Sequence, residues 1–95
     1  MPKYLIERNI PGAGNMSPEE LRDVATKSCE VLNGEVGTGY HWIQSFVTGD
    51  RIYCLHVAPS EEAVREHARK GDFPADRVME VSSVIDATTA ERAPV

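Results

Sequence analysis

At 95 residues, with 41% hydrophobic and 26% charged residues, the chain has the size and composition of one globular domain. A net charge of −5 argues against nucleic acid and against an anionic membrane surface, both of which select basic faces. No apolar run approaches the ~20 residues that span a bilayer, and the start, MPKYLIERNIPG, lacks the apolar stretch of a signal peptide, so a cytoplasmic location is expected. In that compartment the two cysteines are expected as free thiols. A chain this short buries little over about 60% of its unfolded surface, so its core is thin and self-association would add to it.

In chain order, Lys3 to Asn9 (KYLIERN) is short, rich in Tyr, Leu and Ile, and stopped by Pro11-Gly12, which predicts a strand. PGAGN is a loop; its glycine spacing is not that of a phosphate loop. SPEELRDVATKSCEVLNG carries helix punctuation: Ser17 as N-cap, Pro18 in the first turn, Glu20 completing a capping box, and Asn33-Gly34 as the stop. Leu21, Val24, Ala25, Ser28, Cys29 and Leu32 recur at helical spacing and predict the inward face, with Cys29 in the core.

Tyr40 to Thr48 and Arg51 to Ala58 are two β-rich runs joined at Gly49-Asp50, the signal of a two-residue hairpin loop. That loop sets a register in which Phe46 faces Tyr53, Ser45 faces Cys54, Gln44 faces Leu55, Ile43 faces His56 and Trp42 faces Val57. Alternation then puts His41, Ile43, Ser45, Val47, Ile52, Cys54 and His56 on one side of the sheet, and Trp42, Gln44, Phe46, Tyr53, Leu55 and Val57 on the other. Ser60 caps a second helix closed by Gly71, with Glu61 and Glu62 at its positive end and Arg69-Lys70 at its negative end. Arg77 to Ile85 predicts a last strand, and the polar segment DATTAERAPV an extended or disordered tail. One domain over residues 1–86 and a polar tail over 87–95 follow.

The order βαββαβ, with right-handed crossovers around a central hairpin, is that of the ferredoxin-like α+β fold: a four-stranded antiparallel sheet with two helices on one face. The small-residue side suits close helix packing, which leaves the side with Trp42, Phe46 and Tyr53 open. An apolar patch of that extent needs a partner, and the simplest is a second copy, giving a homodimer through the open sheet face.

The stretches IPGAGNMSPEELRDVATKSCEVL, HWIQSFVTGDRIYCLHVAPSEEAVREHARKGDFPADRV and VIDATTAE resemble the small bacterial DUF4242 proteins, some of which are described as nickel-binding. The resemblance covers nearly the whole chain. It implies a ferredoxin-like fold, a homodimer and the binding of nickel or another divalent transition metal, and it implies no established reaction.

Three groups of residues carry possible chemistry. Cys54 and His56 lie two apart on a strand, about 7 Å apart on one face, and His67 is on the inner stripe of the helix expected to cover them. Thiolate and imidazole suit nickel, zinc or copper. The same three residues also suit a core in which Cys54 is a small buried side chain and His67 a hydrogen-bonded one. The second group is the open face, where Trp42, Gln44, Tyr53 and Glu7 would line a small-ligand cavity between two subunits, or form a plain dimer interface. The third, Glu61, Glu62 and Glu66, reads as a solvated face paired with Arg65, Arg69 and Lys70. His41, at the start of an edge strand, is expected near solvent. No nucleophile–base pair stands at a recognisable spacing, so metal binding without evident catalysis is the first expectation, and a small-molecule-binding protein or enzyme using the open-face cavity between two subunits is the alternative.

Overall fold

The computed structural model describes residues 1–35 and 37–92. The elements are β1 (Lys3–Asn9), a 3-10 turn (Ala13–Asn15), α1 (Pro18–Asn33), β2 (His41–Val47), β3 (Arg51–Val57), α2 (Glu61–Gly71), β4 (Arg77–Val81) and a second 3-10 turn (Ala87–Glu91). The sheet order is β2-β3-β1-β4 and every pairing is antiparallel. This is the expected ferredoxin-like α+β fold, with two helices over one face of four strands.

The helices start where their caps place them. The Ser17 hydroxyl accepts from the Glu20 amide at 3.1 Å and the Glu20 carboxylate accepts from the Ser17 amide at 3.1 Å, so two otherwise unpaired amides of α1 are satisfied. The Ser60 hydroxyl accepts from the Ala63 amide at 3.1 Å and starts α2. At its other end, Gly71 is the last helical residue, and Asp72 takes the left-handed conformation with φ 55. Gly71 serves close approach instead: it is buried, and a Cβ on it would overlap the Phe73 ring.

The core is one cluster around Tyr4, Ile6, Ile52, Cys54, Ala58 and Val64, with Ile6 and Val64 fully buried. Tyr4, Ile6 and Arg8 of β1 alternate into it, opposite Ile52, Cys54 and His56 of β3. The other side of the sheet is less covered: Leu5, Tyr53, Leu55, Val57 and Met79 are half-buried, and Phe46 is 51% exposed.

Four sequence expectations are corrected. The hairpin register holds through Phe46↔Tyr53, Ser45↔Cys54 and Gln44↔Leu55, and then a β-bulge at Ile43 shifts it, so that Trp42 pairs with His56 and His41 with Val57. One extra residue reverses the facing of everything beyond it. Trp42 therefore lies on the helix-covered side rather than the open one, and His41 on the open side. Cys29 is exposed, because α1 turns its neighbour Ser28 inward instead. Strand β4 stops at Val81 rather than Ile85, because Lys3, the first residue of β1, pairs with Val81 and offers no partner beyond it. Within the polar tail, Ala87–Glu91 form a 3-10 turn capped by Asp86, whose carboxylate accepts from the Thr88 amide at 2.8 Å, while residues 93–95 of that expected tail lie outside the described residues. Among the described residues, no helix is long and apolar enough to cross a membrane.

Candidate functional site

A buried polar cluster lies between the helices and the sheet. Strand alternation brings in Arg8 from β1 and Cys54 and His56 from β3; α2 contributes His67, α1 contributes Ser28, and the connection from α1 to β2 contributes Glu35 and Tyr40. His67 is 0% exposed and His56 1%, which is unusual for so polar a side chain unless its nitrogens are satisfied.

Three of the four ring nitrogens have hydrogen-bond partners among the described residues. The Tyr40 hydroxyl lies 2.6 Å from His56 Nδ1. His67 Nδ1 is 3.3 Å from Glu35 Oε1, and its Nε2 is 3.5 Å from the Ser28 hydroxyl. The rings also pack: Tyr40 stacks on His67 with centroids 4.8 Å apart and planes at 18°, and His56 meets His67 edge-on at 5.3 Å. Two of the sequence-predicted ligands, His56 and His67, are therefore brought together in the core.

Burial sets the protonation states. It holds His56 down to about 3, helped by the nearby His67 and the Arg8 guanidinium, so the ring is neutral at physiological pH. Burial also lowers His67; the Glu35 carboxylate pulls the other way, and burial wins because the ring has no contact with water. The Tyr40 hydroxyl is raised above its ordinary value by the same burial and by Glu35, so it keeps its proton. A protonated hydroxyl both donates and accepts, so the tautomer of the neutral ring sets the direction of the bond: with its proton on Nε2, His56 accepts from Tyr40 at Nδ1, and with its proton on Nδ1 it donates to Tyr40 and leaves Nε2 free as an acceptor. Among the described residues, the buried Glu35 Oε2 has no hydrogen-bond partner.

Cys54 is held separately. Its Sγ accepts from the Arg8 Nε at 3.3 Å and from the Ser45 hydroxyl at 3.0 Å; that hydroxyl in turn accepts from the Trp42 indole at 2.9 Å. Arg8, Cys54, His56 and Trp42 all border a cavity of about 200 Å³ between α1 and the sheet, whose remaining walls are almost wholly apolar.

The other sequence candidates divide by face. Glu7 and Tyr53 meet on the open side, the Tyr53 hydroxyl donating to Glu7 at 3.2 Å. Gln44 lies on that side opposite Leu55, and Trp42 does not join them because of the bulge. Glu61 and Glu66 pair with Arg65 and Arg69 at the surface of α2, as a solvated face. His41 is exposed. Arg8, Glu35 and Tyr40 are the members that sequence reasoning passed over. Arg8 had a signal, since it shares strand parity with Tyr4 and Ile6. Glu35 had none, because an irregular connection carries no periodicity to read, and Tyr40, expected at the head of the β-rich run, lies one residue before β2 begins.

A family model for nickel-responsive SCO4226-like proteins matches residues 4–81. The chain belongs to the SCO4226-like family. The match takes in both helices and all four strands but for Lys3 at the start of β1, and it carries the nickel association that the resemblance to DUF4242 proteins implied, though not that label. Among solved structures, the crystal structure of SCO4226 from Streptomyces coelicolor A3(2) is similar, with a TM-score of 0.73 and 21% identity over 87% of this chain and 99% of that one. At that identity the likeness establishes the shared fold. A search of curated proteins gave no match.

Two observations bear on whether this member's residues suit a metal. Among the described residues, no three His, Cys, Asp or Glu side chains are already gathered about one point. The donor chemistry nevertheless fits: two neutral imidazoles stand together, and the carboxylate bonded to one of them has an unpartnered oxygen.

Proposed function

We propose that the protein binds a divalent transition metal, nickel first, at His56 and His67, and that it does so as a homodimer joined through the open face of its sheet. The observation that supports the metal is the imidazole pair, wholly buried with centroids 5.3 Å apart and kept neutral by burial. Neutral imidazole is the charge state that ligates metals, and in the tautomer whose Nδ1–H donates to Tyr40 the His56 Nε2 lone pair is available to one. Glu35 supplies the unpartnered oxygen, and Cys54 stands two residues from His56 on the same face. Tyr40 and Ser28 are placed to orient the two rings by hydrogen bonds, the usual support for metal-bound histidine. Nickel, once bound, would supply a Lewis acid or a stored ion; the preference for nickel over zinc or copper comes from the family.

Calorimetric titration with nickel tests this. Wild type and His41→Ala are expected to bind alike, and His67→Ala to lose binding. If His41→Ala loses the ion while His67→Ala keeps it, the metal sits at the surface and His67 is a core residue.

The dimer is supported by the half-buried apolar face of Leu5, Tyr53, Leu55 and Val57, with Phe46 beside it. A second reading places a small molecule between two such faces, bound by Glu7, Gln44 and Tyr53. Its support is the Tyr53–Glu7 hydrogen bond, a polar couple within an otherwise apolar surface.

A further inference from the structure

Arg8 is the member of the buried cluster that a metal does not explain. It is 4% exposed, and a guanidinium in the core repels a cation. Its contacts are a thiol, the Pro74 carbonyl and the Phe73 ring, whose centroid lies 5.4 Å from the guanidinium carbon. Among the described residues no ion pair includes Arg8. The other buried charge, Glu35, is turned to His67. A guanidinium has five N–H donors, and a buried cation without a counter-anion is strongly disfavoured.

Arg8 borders the cavity of about 200 Å³ between α1 and the sheet. The apolar residues of α1 that face this space, Leu21, Val24 and Ala25, are only half-buried, because they look onto the cavity instead of packing against strands. A core cavity of roughly 150 Å³ accommodates benzene, so this one admits a single ring or a short branched chain together with a small polar head.

We propose that this cavity binds a small apolar monocarboxylate, an aromatic or short aliphatic acid, with its carboxylate on the Arg8 guanidinium and its body against Leu21, Val24 and Phe73. A planar carboxylate matches the guanidinium fork, and one negative charge balances one buried cation. A dianion such as phosphate would exceed that balance beside Glu35 and has no apolar body for these walls. His56 borders the same cavity, and in the tautomer with its proton on Nε2 it adds a second donor. The site shares the His56 wall with the metal reading but depends on Arg8 and on no cation.

Trp42, the chain's single tryptophan, also lines the cavity, so its fluorescence reports occupancy. The full chain, purified in chelator, is titrated with benzoate, phenylacetate and hexanoate, and with benzamide as an uncharged molecule of benzoate's shape. At least one of the acids is expected to change Trp42 emission saturably, and benzoate to bind about tenfold or more tighter than benzamide. Arg8→Gln should erase that preference, and Ala25→Phe, which fills the cavity, should abolish the response to all four. The wild-type comparison needs no variant and stands even if Arg8→Gln fails to fold. No saturable response to any acid, equal affinity for benzoate and benzamide, or a preference retained in Arg8→Gln would each overturn the proposal.

Discussion

Acidification should unfold this protein earlier than its carboxylates alone would, because its core holds imidazoles that refuse protons. An unperturbed histidine titrates near 6.5, while His56 in the fold is held to about 3. Between those values the unfolded chain binds a proton that the native chain does not. Stability therefore rises with pH through this window, and is lost as pH falls from about 6.5 toward 3. From pH 7 to pH 5 the loss from His56 alone is about 2 kcal/mol, at roughly 1.36 kcal/mol per unit below 6.5. His67 is displaced in the same direction and adds to it. Urea denaturation in chelator, followed by circular dichroism at pH 7 and pH 5, reads the effect. With m of about 1–3 kcal/mol/M, the midpoint should drop by about 1 M or more. His56→Leu should flatten the dependence. Equal midpoints at the two pH values would mean that the rings are solvated or already charged, and would refute the account of the core.

Three further outcomes follow from named contacts. Phe46→Glu puts a charge on the open sheet face at a half-exposed position and is expected to give a folded monomer; light scattering that finds wild type already monomeric at micromolar concentration would sink the dimer. Gly71→Ala pushes a methyl into the Phe73 ring and should destabilise by about 1–3 kcal/mol, so an unchanged melting temperature would show that Phe73 moves aside freely. Ser17→Ala removes one half of the α1 capping box and should lower stability by about 1 kcal/mol, measured by the same urea titration, with no change if water caps the helix equally well.

The parts of this molecule that were legible in its sequence are those fixed by local rules. Ser17 and Glu20 announce the start of α1, and the two-residue Gly49-Asp50 loop sets the register of β2 against β3 as far as Gln44. The bulge at Ile43 was not legible, because nothing in an alternating run marks the residue that will be left unpaired, and it moved Trp42 to the other face. The site was half legible. His56 and His67 share a layer because strand parity and helix stripe both point inward, which sequence spacing conveys. Their partner Glu35 comes from a connection without periodicity, Tyr40 lies one residue before β2 begins, and Arg8 was masked by the expectation that charged residues stay outside.

The most direct test of the central claim is a crystal grown with nickel and mapped by anomalous scattering at the nickel edge. The account expects a peak inside the domain between His56 and His67, on the side of Glu35. A peak only at the surface, against exposed His41, would contradict it.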